Sequence, residues 1–447
     1  MNMKVEQQYI TLFKESRDLL DNNSAPVMNK YRQEAFDNFE RLGFPSKKVE
    51  EYKYTPVSKY FEQEYGLNLS RLDIPSKPRD LFSCDVPGMD SIQAFLVNDL
   101  FHQEAVKGLP KGVLLGSLKE LAETHPELVE KYYAKIANHS KDAIVSFNTA
   151  FAQDGLLLYV PKNTIIEQPI QLINLLRSDV DLMSNRRILI VLEEGAQAKV
   201  LICNHTIDQV NFIQTGVTEV FVGANAQLDF YELEETHTQT VRFNNLTVHQ
   251  QADSNVLLNN MTLHNGVTRN STEVVLKGKG AHIDCHGMAV EDQNQHVDNT
   301  TLIDHTVAHC TSNELFKYVL DDHSVGAFTG MILVRPDAQQ TNSQQTNRAL
   351  CVTRDAKMYA RPQLEIYADD VRCGHGATVG QLDETALFYM QARGISEREA
   401  RLLLMFAFVN EVIDTISIDA LKERLHTLVE QRFRGEVQKC SECSICK

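Results

Sequence analysis

The chain has 447 residues, with 60 Asp and Glu against 44 Lys and Arg and a formal net charge of −16. That length exceeds what one compact core usually holds, so two or three structural units are expected, one of them large. The acidic balance repels phosphate backbones and anionic membrane surfaces, which sets aside nucleic acid and membrane as partners. No stretch nears the ~18 apolar residues of a membrane span. Lys4, Glu6, Lys14, Glu15 and Arg17 interrupt the start, so no secretory signal is read there and cytoplasmic residence is expected.

The first predicted elements are helices. Ile10, Phe13, Leu19 and Leu20, then Ala35, Phe36 and Phe39, recur at helical spacing up to about Leu42, where Gly43-Phe-Pro-Ser46 breaks the pattern. Residues 47–140 read as mixed, with a turn at Leu109-Pro-Lys-Gly112 and helical runs near 116–137. The expected first unit is thus a helical and mixed region over 1–140.

From 141 to 380 the texture is β. Short apolar runs at 155–160, 170–175 and 187–192 have no helical period, and turn-like segments recur. Aligning Gly195-Ala-Gln-Ala-Lys-Val200 with segments at 223, 251 and 280 places Ala196, Ala224, Ala252 and Ala281 at equivalent, nearly evenly spaced positions. A small residue at a corner followed by a strand, recurring at so regular a period, predicts stacked coils of a solenoid. A β-sandwich with evenly spaced turns is the alternative.

Helices return over 381–435. Gly394 ends an apolar-periodic run at 384–393, Ser396 and Glu399 form a capping box, and Leu402, Phe406, Val409 and Ile413 mark the next helix, read as packing within the helical end. A last helix near 419–434 ends at Gly435. Residues 436–447 form a cysteine-rich tail with little to fold.

Nine cysteines in a reducing compartment are read as thiols or metal ligands. Cys84, Cys203, Cys285, Cys310, Cys351 and Cys373 stand singly. Cys440, Cys443 and Cys446 make a C-x₂-C-x₂-C run, a spacing that lets several thiolates converge on one iron–sulfur cluster, with no fourth ligand beside it. An unstructured thiol tail is the other reading.

His375 lies between Gly374 and Gly376, unobstructed by neighbours, and imidazole is a good ligand for iron; Cys373 adds a thiolate two residues earlier. In an extended segment the two side chains share a face. The plainer reading is that the glycines serve a turn and His375 is an ordinary, partly exposed residue. His282, His286, His296, His305 and His309, with Cys285 and Cys310, are read as corner or ladder hydrogen-bonders of a solenoid, not as ligands. No G-x-x-x-x-G-K-[ST] loop occurs, so the chain itself binds no nucleotide through that motif.

Three groups of segments carry a resemblance. They are Pro362-Gln-Leu-Glu-Ile-Tyr-Ala-Asp-Asp-Val371 with Arg372-Cys-Gly-His-Gly-Ala-Thr-Val-Gly380 and Ala392-Arg-Gly-Ile-Ser-Glu397; Phe316-Lys-Tyr-Val-Leu-Asp321 with Gln345-Thr-Asn-Arg348; and Leu42-Gly-Phe-Pro-Ser46 with Glu50-Glu-Tyr-Lys-Tyr-Thr-Pro56. Together they resemble the SufB/SufD family, and the form at 373–380 resembles its SufD branch. The resemblance implies a right-handed parallel β-helix flanked by helical regions, and a non-catalytic scaffold for iron–sulfur cluster assembly. It also implies pairing with SufB through the end of the β-helix and docking of the SufC ATPase on the C-terminal helices. A transient cluster or iron would then sit at the subunit interface near His375, and the isolated chain could form a homodimer, as could a SufB/SufD-like scaffold that works without a distinct SufB. Within that reading, 362–371 is the closing β coil and 373–380 an interface turn presenting His375. A rival of another class, a β-helical polysaccharide lyase using Asp369 and Asp370, is weakened because adjacent residues on a strand face opposite ways.

Overall fold

The structure, a computed structural model, describes residues 5–72, 78, 86–102, 108–137 and 140–436. Its centre is a parallel β-solenoid. From Leu156 to Gly380 successive strands alternate between two sheets, so that each coil adds one strand to each, and every pairing along this stack is parallel. Strands Ile92–Val97 and Leu114–Ser117 extend the two sheets at the starting end.

Gln197, Gln227, Asn255 and His282 occupy one register position, so successive coils differ slightly in length. The repeat is real, but its alignment differs from the expected one. The partner of Ala196 is Ala226, not Ala224, and that of Ala281 is Ser254, not Ala252; all four true equivalents are fully buried. A slip of two residues returns every side chain to the same face, so the apolar pattern could not detect it. Each corner is turned by a residue of positive φ, Gly195, Asn225, Asp253 or Gly280, types that tolerate the left-handed region.

The interior is divided along its width. Near these corners it is aliphatic, with Ile188, Ile190, Val220, Val248, Val274 and Ile303 in one cluster. The other side is polar. Arg186 donates to Glu232 and Asn244 at 3.0 and 2.6 Å, and Arg242 to Glu232 and Glu234, each at 3.0 Å. Burial opposes the charge of Glu232, yet Arg186 and Arg242 hold its carboxyl down at about 2.

Helices Val5–Asn22 and Pro26–Leu42 meet at a break before Pro26, a residue suited to the first helical position. Phe13 stacks on Phe36 at 4.0 Å, and with Phe39, Phe44, Phe61 and Phe147 they join the N-terminal helices to helix Ala143–Phe151 and the first sheet. Arg32, fully buried, donates to the carbonyls of Ala150 and Ala152 at 2.5 and 3.0 Å.

The C-terminal helices Glu397–Ile413 and Asp419–Arg434 lie along the outer face of the second sheet, and the helix before them, Glu384–Ala392, leans on Glu397–Ile413. Leu402, Val409 and Ile413 pack on Leu201, Tyr231, Met261 and Met288 of that wall as well as on each other. The apolar stripe expected to serve packing within the helical end thus serves docking onto the solenoid, each large side chain contributing about 1.5–3 kcal/mol. Ser396 accepts from the Glu399 N–H at 3.3 Å, but the Glu399 carboxylate pairs with Arg434, so the capping box is half made. Gly435 closes the last helix in the left-handed conformation. No described helix is long and apolar enough to cross a membrane.

Candidate functional site

The solenoid finishes on strands Lys357–Ile366 and Val371–Gly380, each last in its sheet and paired on one side only. Residues 373–380 are therefore a β-strand, where an interface turn was expected. Neither Gly374 nor Gly376 has positive φ, and the glycine-rich segment is held straight by its ladder to Thr341–Cys351. Tertiary pairing overrides the weak strand preference of glycine.

The strand sets the direction of its side chains. Cys373 pairs with Ser343 and His375 with Gln345, and both partners are buried, inward-facing residues. Cys373 and His375 consequently share the inward-facing side of the terminal strand. Cys373 is half-buried against the Ile332 and Val334 cluster, and burial pushes its thiol up. His375 is exposed, with Gly376 beside it open on every side.

The first sheet reaches the same end with Tyr359, Ile366 and Tyr367 at the surface. Here the N-terminal Glu50–Pro56 motif crosses the molecule. Tyr54 stacks on Tyr359 at 4.4 Å, Glu50 pairs with Arg361, and Thr55 donates to Asp298 at 2.5 Å. Tyr52 donates to Asp142 at 2.6 Å beneath the Arg269 guanidinium. Local patterning assigned this motif no contact. Its only signal was a density of aromatic and charged residues after a helix, with nothing to indicate partners as distant along the chain as Tyr359 and Arg361.

The chemistry available at this end is two donors, one imidazole and one thiol, on one face. Among the described residues no three His, Cys, Asp or Glu side chains are placed to hold a metal ion, so a cargo ion held by Cys373 and His375 needs further ligands from elsewhere. Cys440, Cys443, Cys446 and Cys84 lie outside the described residues. Among the other histidines, His282 meets Thr311 of the next coil at 2.6 Å and Asp284 of its own strand at 3.0 Å, His296 meets Thr55 of the N-terminal segment at 2.9 Å, and His305 meets Ser312 within its coil at 2.9 Å.

A second surface lies on the C-terminal helices. Leu402, Leu403, Phe406 and Phe433 line a groove of about 160 Å³ rimmed by Glu399, Glu430 and Arg434, and Phe388 and Tyr389 stand 71% and 59% exposed on the preceding helix.

Comparison with known proteins agrees with this architecture. Residues 175–408 match the family model "SUF system FeS cluster assembly, SufBD core domain", and residues 3–172 match "SufBD protein N-terminal region". The chain is 26% identical to the SufBD family protein slr0076 of Synechocystis over 417 residues, 91% of each chain. It is 30% identical to the iron–sulfur cluster assembly protein SufD of Escherichia coli over 244 residues, 55% of this chain and 58% of that one. With SufD of Bacillus subtilis it shares 26% identity over 330 residues, 72% and 75% of the two chains.

Proposed function

The chain belongs to the SufBD family and has a role in iron–sulfur cluster assembly, and from that premise we propose that it is a SufD-type, non-catalytic scaffold whose open solenoid end pairs with SufB. One observation carries this reading: the last strand presents an unpaired edge with His375 and Cys373 on one face of it. An unpaired strand edge is a template for another chain, and folds that do not use it usually cover it.

In this reading iron, or a nascent cluster, is the cargo of the interface. His375 offers an imidazole and Cys373 a thiol that loses its proton on binding, both suited to iron, and SufB supplies the remaining ligands. The SufC ATPase docks on the C-terminal helices, a role supported by the exposed Phe388 and Tyr389 and the adjoining apolar groove. Nucleotide energy enters through that partner. The Cys440–Cys446 run is a candidate reserve of thiolates for the same cargo.

Co-expression with SufB and SufC, followed by size-exclusion with light scattering, tests the assembly; a chain that stays apart from both partners overturns it. Anaerobic reconstitution of the complex then reads iron and sulfide. His375→Ala is expected to leave the complex assembled and to lower its cluster content severalfold, and unchanged iron and sulfide would remove His375 from the mechanism.

A further inference from the structure

One inward-facing register column runs along the last six strands of the second sheet: Phe230, Leu258, Cys285, Glu314, Gln345 and His375. It begins apolar and ends polar. Glu314 and Gln345 are fully buried, and Gln345 Nε2 donates to Glu314 Oε2 at 2.5 Å. Gly330, across the lumen, makes room for this pair; a Cβ there would lie 2.4 Å from Gln345 Nε2.

The column carries unmet hydrogen-bonding capacity. Glu314 Oε1, Gln345 Oε1 and both amide atoms of Asn347, the next inward-facing residue, have no partner among the described residues. Buried polar atoms are rarely left so, and ordered water is their usual partner. One coil deeper, a cavity of about 20 Å³ is lined by Cys285, Asn270, Asn299 and Thr301, room for one water. The lumen is thus polar from Asn299 up to Asn347, with room for a water on the inner side of Glu314.

Glu314 has no cation beside it. The groups that face it are Thr301 from the opposite sheet, Gln345 on one neighbouring strand and Cys285 on the other, of which the thiol alone titrates. A buried carboxylate without a counter-ion costs several kcal/mol, so it binds a proton readily, and burial lifts its carboxyl to about 7 against the neighbouring Thr301 hydroxyl and the hydrogen bond from Gln345. Two strand spacings, about 10 Å, separate it from the terminal strand.

We propose that Glu314 is an internal proton acceptor for the open end of the solenoid, exchanging its proton through lumen water alongside Gln345 and Asn347. The proposal rests on the reading that iron and sulfur ligands meet at that end. When a thiol or hydrosulfide becomes an iron ligand there, its S–H bond breaks as the iron–sulfur bond forms. The proton passes to the Glu314 carboxylate, making an O–H bond, and no electron changes hands. Departure of the ligand as a thiol reverses the step.

Infrared difference spectra of the full chain, stepped from acid to alkaline pH, test the site itself. One component of the protonated-carboxyl carbonyl band is expected to vanish near neutral pH in the wild type and in His375→Ala, to be lost in Glu314→Gln while that of buried Glu291 stays, and to persist at a shifted midpoint in Glu314→Asp. A wild type with no component that Glu314→Gln removes overturns the proposal.

Proton release on adding ferrous iron and sulfide to the SufB-bound complex, followed with a pH dye at mildly alkaline pH, tests the coupling. Followed by stopped flow, the wild type is expected to release about one proton per chain in a slower second phase that Glu314→Gln lacks, with equal totals at equal iron uptake. A single phase in both refutes the acceptor role and leaves the scaffold reading intact. A chain that stays apart from SufB and SufC refutes the scaffold reading, while the infrared band still reports on Glu314.

Discussion

Arg432, in the last helix, grips Asp292 at a corner of the solenoid through two hydrogen bonds of 2.6 and 2.8 Å. The same guanidinium donates to the Leu263 carbonyl at 2.8 Å and to Gln295 at 2.7 Å. A planar fork serves four acceptors at once, which lysine cannot do. This side chain fixes the C-terminal helices to the wall on which they would carry a partner.

Arg432→Ala leaves those acceptors unpaired at a buried site and is expected to cost about 3–5 kcal/mol. Arg432→Lys should fall between. Hydrogen exchange will show helix Asp419–Arg434 losing protection before the solenoid does; equal protection in the variant and the wild type would contradict this account.

Glu219 ties the N-terminal region to the solenoid. It pairs with fully buried Arg187 and accepts the backbone N–H groups of Ala134, Ile136 and Ala137 at 2.8, 2.9 and 3.1 Å. Glu219→Gln keeps the shape but leaves Arg187 charged in a dry site, at an expected cost of about 3 kcal/mol. A lower urea midpoint at unchanged slope is the signature.

Stability should depend on pH through two buried groups of opposite sign. Burial holds the His305 imidazole down at about 4, so between about 6.5 and 4 the unfolded chain binds the extra proton and stability falls with acid, by roughly 3 kcal/mol over that window. The Glu314 carboxyl, lifted from 4.5 to about 7, acts the other way: the folded chain holds the proton, and stability falls as pH rises through that range. Denaturation of His305→Gln should therefore show a shallower acid loss, and of Glu314→Gln a shallower alkaline one. Parallel curves for the wild type and both variants would rule this out.

Two glycines should respond differently to alanine. A Cβ on Gly278 would sit 1.9 Å from the Ala252 backbone nitrogen, whereas one on Gly376 meets nothing within 4 Å. Gly278→Ala is expected to lower stability by at least about 3 kcal/mol, through backbone that must move apart. Gly376→Ala should leave melting unchanged and, if the proposed pairing with SufB covers that strand, is expected to weaken it. Unaltered affinity by calorimetry would place the interface elsewhere.

Local preference and patterning were enough to name the kind of building block. Apolar runs without helical period, evenly recurring corners, and the helix stops at Gly394 and Gly435 are all legible in the order of residues alone. The same order put Cys373 and His375 on one face only on condition that the segment is extended, and it read 373–380 as a turn. It left open the alignment of the coils, since a slip of two residues returns Ala224 to the face of Ala226, and only the ladder of hydrogen bonds distinguishes them.

Packing in three dimensions chose which residues meet across long stretches of chain. Glycine-rich 373–380 is a strand because Thr341–Cys351 lies beside it. Tyr54 stacks on Tyr359 because the stack of coils brings its last turn under the N-terminal segment. Cys285, Glu314, Gln345 and His375 form one polar row because each coil sets the next strand in register. Such contacts arise from the summed geometry of the coils, and no local stretch of sequence carries that sum.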